Sequence, residues 1–122
     1  MKKFTLISVA IASVFSFTAL VNNPVSAQKP IPDEVLAVAK KSCLKCHTEP
    51  GKTMALSKVN LSKWDSYEAE KQATKAAAMC NMVTKGKMPP KKFKAENPDF
   101  VLTTDEIKII CDWSSSIQVA KK

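Results

Sequence analysis

Arginine is missing from this 122-residue chain, glycine is scarce and histidine occurs once. All 19 basic side chains are lysine. Without a guanidinium fork, bidentate readout of phosphate or guanine has no suitable residue. Nucleic acid is therefore not an expected partner, despite a formal net charge of +8. Two glycines, Gly51 and Gly86, stand against seven prolines. So few glycines argue against a turn-rich sandwich or barrel and favour helices. The single histidine, His47, excludes any site within the chain that needs two imidazoles. The length fits one small globular domain.

Residues 1–27 have the layout of a secretory signal peptide. Lys2 and Lys3 form a positive start, Phe4 to Val21 is an apolar run, and Val25-Ser26-Ala27 offers small residues for cleavage. An uncleaved anchor is the alternative, because the run is near spanning length. No cysteine lies near the end of the run to accept a lipid. Cleavage after Ala27 predicts a mature chain of residues 28–122, with no stable membrane span, in the periplasm. There cysteines can be oxidised or covalently modified. A core this small calls for a staple such as a disulfide, a metal or a cofactor.

Three helices are expected in the mature part. Asp33 is placed to cap the first, which runs through Val35, Leu36, Val38 and Ala39 toward Cys43. Asp65 with Glu68 resembles a capping box for the second. Its apolar face would hold Ala69, Ala73, Ala76, Ala77, Cys80 and Val83, and Gly86 stands where a helix-ending glycine belongs. The third begins at Thr103, with Glu106 completing a capping box, and sets Ile107, Ile110, Cys111, Ser114 and Ile117 on one face. Thr48 to Lys58 and Lys87 to Phe100 read as loops, the first with Pro50-Gly51 at the centre of a type II turn. Loops this long in so small a domain usually have a job or a ligand.

Cys43-Leu44-Lys45-Cys46-His47 is C-x-x-C-H, the attachment signature of c-type haem. Two thiols one helical turn apart can add to the two vinyl groups along a porphyrin edge. The adjacent imidazole then reaches the iron. Three other readings compete. A thioredoxin-like dithiol normally needs a βαβ setting, which the chain lacks. A zinc site needs four ligands, and Cys80 and Cys111 are too widely spaced for a second knuckle. An ordinary disulfide followed by an incidental histidine is the third.

A sixth iron ligand must be methionine, lysine or something unusual, or the site is open. Met88 is the strongest candidate. It sits in Gly86-Lys87-Met88-Pro89-Pro90, where a residue before proline is extended and two prolines stiffen the loop. Met79 and Met82 fall inside a helix, where packing is the expected role. Met54 follows His47 closely and is expected on the same side of the haem.

The mature chain resembles the small haem-binding domain family of mono-haem c-type cytochromes. The resemblance rests on Cys43-x-x-Cys46-His47, Val59-Asn60-Leu61-Ser62-Lys63-Trp64, the Gly86–Pro90 loop, Asn97-Pro98, and Leu102–Glu106 through Asp112-Trp113. It implies an all-α, small cytochrome c-like domain in the periplasm, its helices and long loops wrapped around one covalently bound haem c. It also implies attachment at Cys43 and Cys46 and iron ligation by His47 and Met88. The family usually carries a longer, tryptophan-rich stretch after the haem motif, whereas here only Thr48 to Val59 fills it.

Cys80 and Cys111 lie on the inward faces of their expected helices. They are either a disulfide across the methionine loop or two free buried thiols. A bridge would also hold Met88 near the iron. Lys85, Lys87, Lys91, Lys92 and Lys94 surround Met88 in sequence. They read either as a steering surface for an acidic redox partner or as an ordinary solvated face. The expected function is a one-electron carrier with no enzymatic activity. The alternatives are a haem protein with an open or labile sixth site, acting as ligand sensor or peroxidase-type enzyme, and a non-haem dithiol or metal-binding module.

Overall fold

The computed structural model describes residues 28–118. The expected signal peptide, residues 1–27, lies outside the described residues. Among the described residues there are six α-helices, two short 3-10 segments and no strand. The helices are α1 (Asp33–Ser42), α2 (Leu44–His47), α3 (Thr53–Lys58), α4 (Ala69–Thr84), α5 (Lys91–Glu96) and α6 (Thr104–Ser116). The 3-10 segments are Leu61–Ser66 and Pro98–Phe100. The domain is all-α, as expected. No helix among the described residues is long and apolar enough to cross a membrane.

The three expected helices are α1, α4 and α6. Two of their starts differ from expectation. Asp33 is the first residue of α1, behind a Pro32 cap, and its carboxylate makes no capping bond. It opposes the positive end of the helix as a first-turn acid instead. The Asp65–Glu68 capping box does not form. The Leu61–Ser66 segment occupies Asp65, and α4 begins behind Glu68 with no side-chain cap. The Thr103–Glu106 box does form, with Glu106 N–H donating to Thr103 Oγ1 at 3.2 Å and Thr103 N–H donating to Glu106 Oε2 at 2.8 Å. Gly86 ends α4 in the left-handed region at φ 64°, which a side chain would strain.

Helices α4 and α6 pack along their length and form the spine. Small residues permit the close approach: Ala73 and Ala76 of α4 are buried. Ala77 is exposed, and Gln72 takes the buried place. A core of Val35, Ala39, Leu61, Trp64, Ala76 and Trp113 fills the space toward α1, with Cys43 and Leu44 packed against it. Trp64 and Trp113 meet at 5.2 Å between ring centroids. Trp113 Nε1 is buried and has no hydrogen-bond partner among the described residues.

Gln72 ties three segments together. Its Oε1 accepts from Lys29 N–H at 2.8 Å, and its Nε2 donates to the Trp64 carbonyl at 3.1 Å. Trp64 Nε1 donates to the Lys29 carbonyl at 2.9 Å, and Gln28 Nε2 donates to the Tyr67 carbonyl at 2.7 Å. The sulfurs of Cys80 and Cys111 stand 1.99 Å apart, at bonding distance, and join α4 to α6. Of the two readings left open for them, the structure takes the disulfide.

Candidate functional site

The turn from α1 into α2 delivers the C-x-x-C-H motif. Cys43 N–H donates to the Ala39 carbonyl, closing α1, and His47 N–H donates to the Cys43 carbonyl at 3.0 Å, closing α2. One helical turn therefore separates the two thiols, as the spacing requires. Gly51 holds the following loop close. A Cβ there would collide with the carbonyl oxygens of Cys46 and Thr48. Gly51 does not adopt positive φ, so the type II turn is not the reason for the glycine; close backbone approach is. Lys52 N–H then bonds the Cys46 carbonyl at 3.2 Å.

His47 is oriented by the main chain. Its Nδ1 lies 3.0 Å from the Val59 carbonyl oxygen. A carbonyl can only accept, so Nδ1 is the protonated nitrogen, and in the neutral ring Nε2 keeps its lone pair. A backbone carbonyl on the far nitrogen is the arrangement that orients a metal-bound imidazole.

Cys43, Cys46, His47 and Met88 all line one cavity of about 580 Å³. That volume is within the range of small-molecule and cofactor pockets. The lining is mostly apolar and comes from two stretches, residues 42–58 and 83–96. Two short helices supply much of it where loops were expected. Helix α3 brings Met54 and Ala55, and α5 brings Phe93. Phe93 is braced edge-on against Phe100 at 5.6 Å. Met54 reaches the cavity but is 79% exposed, whereas Met88 is 36% exposed. The Met88 backbone is pinned from the end of α4, with Lys87 N–H and Met88 N–H donating to the Met82 carbonyl at 2.9 and 3.2 Å.

Burial, and then the neighbouring Cys46, push the Cys43 thiol up to about 11. Such a thiol stays protonated near neutrality, unlike the activated thiolate of a redox dithiol. No group of three or more His, Cys, Asp or Glu side chains gathers as a metal site among the described residues. Around the mouth, Lys45, Lys52, Lys58 and Lys92 line the cavity. Of the five loop lysines singled out in the sequence, only Lys92 is among them. Lys94 turns back instead, donating to the Gly86 carbonyl at 3.0 Å.

The segment carrying Val59 is itself tied to the loop after His47. Glu49 N–H donates to Ser62 Oγ at 2.9 Å, and Asn60 Nδ2 donates to Glu49 Oε1 at 2.8 Å. The Asn60 amide, followed by Lys63, holds the Glu49 carboxyl below its usual value. None of these contacts was expected from the sequence. The one available signal was Asn60 two residues before Ser62, the spacing of an Asx cap, which the structure forms at 3.0 Å.

Together, the helical fold and this cavity describe a small all-α domain with a largely apolar pocket of cofactor size. The chain belongs to the haem-binding domain family, whose model matches residues 52–116, just over half of the sequence. The matched span includes Val59, Met88, Cys80 and Cys111 and begins after His47. No curated protein and no solved structure matches the chain.

Proposed function

We propose that this haem-binding protein is a periplasmic mono-haem c-type cytochrome that carries single electrons. The observation that carries the reading is the meeting of Cys43, Cys46, His47 and Met88 in one cavity, with the Val59 carbonyl on Nδ1 leaving Nε2 to bind iron. The residues fit the group. Cys43 and Cys46 would attach the haem as thioethers, and His47 and Met88 would bind its iron. When bound, haem c supplies a one-electron iron couple whose potential the protein tunes. The chain's own part is to keep ligand positions fixed and water out. Met54, Ala55, Val83, Pro89 and Phe93 provide the apolar lining. The lysines at the mouth favour encounter with an acidic redox partner and lose that influence as salt rises.

A second reading is a labile sixth site, serving ligand sensing or peroxidase-type chemistry. It draws support from Met88, which is partly exposed and held mainly through its backbone. The dithiol reading is disfavoured by the raised Cys43 thiol.

One preparation separates these readings. The full chain is expressed with its leader in a host that has haem c maturation machinery, and the periplasmic fraction is examined. Haem that survives denaturing extraction on the protein is expected, together with a reduced form that is slow to bind carbon monoxide. Protein without covalent haem sinks the cytochrome reading. Rapid carbon monoxide binding moves the protein to the labile-site reading.

A further inference from the structure

We propose that the Tyr67 hydroxyl and the Asn60 side chain are positioning residues for His47. They grip the Val59–Asn60 peptide plane, whose carbonyl keeps the imidazole proton on Nδ1. A trans peptide is a rigid plate, with C=O and N–H pointing in opposite directions. On one edge of this plate the Val59 carbonyl meets His47 Nδ1 at 3.0 Å. On the other edge Asn60 N–H donates to Tyr67 Oη at 3.0 Å. Fixing the N–H therefore aims the carbonyl.

Asn60 secures the plate from its own side chain. It is 7% exposed, and both ends of its amide are used. Oδ1 accepts from Ser62 N–H at 3.0 Å, and Nδ2 reaches Glu49 on the loop that follows His47. The Asn60 carbonyl accepts from Lys63 N–H at 3.2 Å. Tyr67 is fixed in turn, with its ring edge-on to Trp64 at 6.0 Å and Lys71 Nζ 4.6 Å from its centroid. A buried tryptophan is thereby linked through one hydroxyl and one peptide to the imidazole. Hydrogen-bond partners of this kind set the tautomer and raise the basicity of a metal-bound histidine. The effect on iron rests on the haem reading above, whereas the tautomer does not.

Tyr67→Phe is the sharpest test, because it deletes one oxygen and keeps the ring. The full chain is labelled with nitrogen-15, and the His47 ring is read in the purified protein, with or without haem. The wild type is expected to show the Nδ1–H form with slow proton exchange. Tyr67→Phe should speed that exchange roughly two- to tenfold, the range that loss of one net hydrogen bond gives. Asn60→Asp keeps the acceptor for Ser62 but sets a buried carboxylate against Glu49, and should speed the exchange as well.

In haem-loaded protein the weakened acceptor makes the imidazole a poorer donor, so the potential rises. A tenfold change in the redox equilibrium reads as about 59 mV for one electron. Thr103→Ala is the control, since it weakens the cap of α6 and touches none of these groups. Unchanged tautomer and exchange in Tyr67→Phe would overturn the proposal. So would equal shifts in Thr103→Ala, which would make the effect one of general stability. A locked tautomer in a chain that takes up no haem would uphold the positioning role while defeating the cytochrome reading.

Discussion

The two stretches that line the cavity are built differently. The stretch bearing His47 is cross-tied. Its imidazole is bonded to Val59, its loop is bonded to Asn60 and Ser62, and Gly51 allows backbone to press on backbone. The stretch bearing Met88 rests on two N–H groups that share the single Met82 carbonyl, behind a glycine turn. Lys94 Nζ adds one side-chain tie to the Gly86 carbonyl, and the remaining support is remote, through the Cys80–Cys111 link between α4 and α6. Local ties are therefore denser around His47 than around Met88. On the cytochrome reading proposed above, variation in iron chemistry should arise at the methionine side.

The strongest challenge to this contrast is removal of attachment. Cys43→Ala with Cys46→Ala is expected to abolish haem retention in denaturing gels stained for peroxidase activity. Retained stain would mean that neither thiol bonds the group. Next in size is Met88→Ala. Loss of a thioether ligand should lower the reduction potential and open the reduced protein to carbon monoxide. Met54→Ala should leave both unchanged, and the opposite pattern would exchange the two assignments.

Cys80→Ser with Cys111→Ser tests the remote support. The chain-entropy account gives a loss on the order of 3–4 kcal/mol for a loop of this length, measurable by denaturant unfolding. The absorbance band from methionine ligation should weaken in the same variant at temperatures where the fold persists. An unaltered band up to global unfolding would show that the Met82 carbonyl alone suffices.

A smaller loss, about 1 kcal/mol, is expected for Thr103→Ala, the ordinary cost of an N-cap deletion. The smallest effect concerns acid. Lys41, then the Thr103 backbone, holds the Glu106 carboxyl below its usual value. A depressed folded-state value means that the contribution is present above the ordinary carboxylate value. It is lost as pH falls through the folded one. Stability should therefore decline in this acid range, and Glu106→Gln should flatten that part of the decline in a pH series of melting curves.

The long helices were legible because their signals are local and repeated. Helix α6 shows both an apolar period and a capping box, and α4 runs without proline or glycine until Gly86. Helices α3 and α5 fall in stretches whose sequence reads as loop. Six residues hold too few periods to register, and such short helices are stabilised by tertiary contacts more than by propensity. The Asp65–Glu68 pattern misled because Asn60, upstream, caps the 3-10 segment that occupies Asp65. At the site, Cys43, Cys46, His47 and Met88 were all visible as residue types at telling positions. The Val59 carbonyl was not, since a backbone acceptor leaves no mark in the side-chain alphabet. At Gly51 the sequence suggests a turn type, whereas the glycine serves a close backbone approach.

Gln28 and Lys29, bonded to Tyr67, Trp64 and Gln72, make the start of the proposed mature chain a fastener and not a tail. Trimming only these two residues would strip partners from a buried indole and a buried amide. The point at which a leader is cut would then decide how well the core closes. A misprocessed chain would betray itself as a poorly folded one, well before any question of its haem arose.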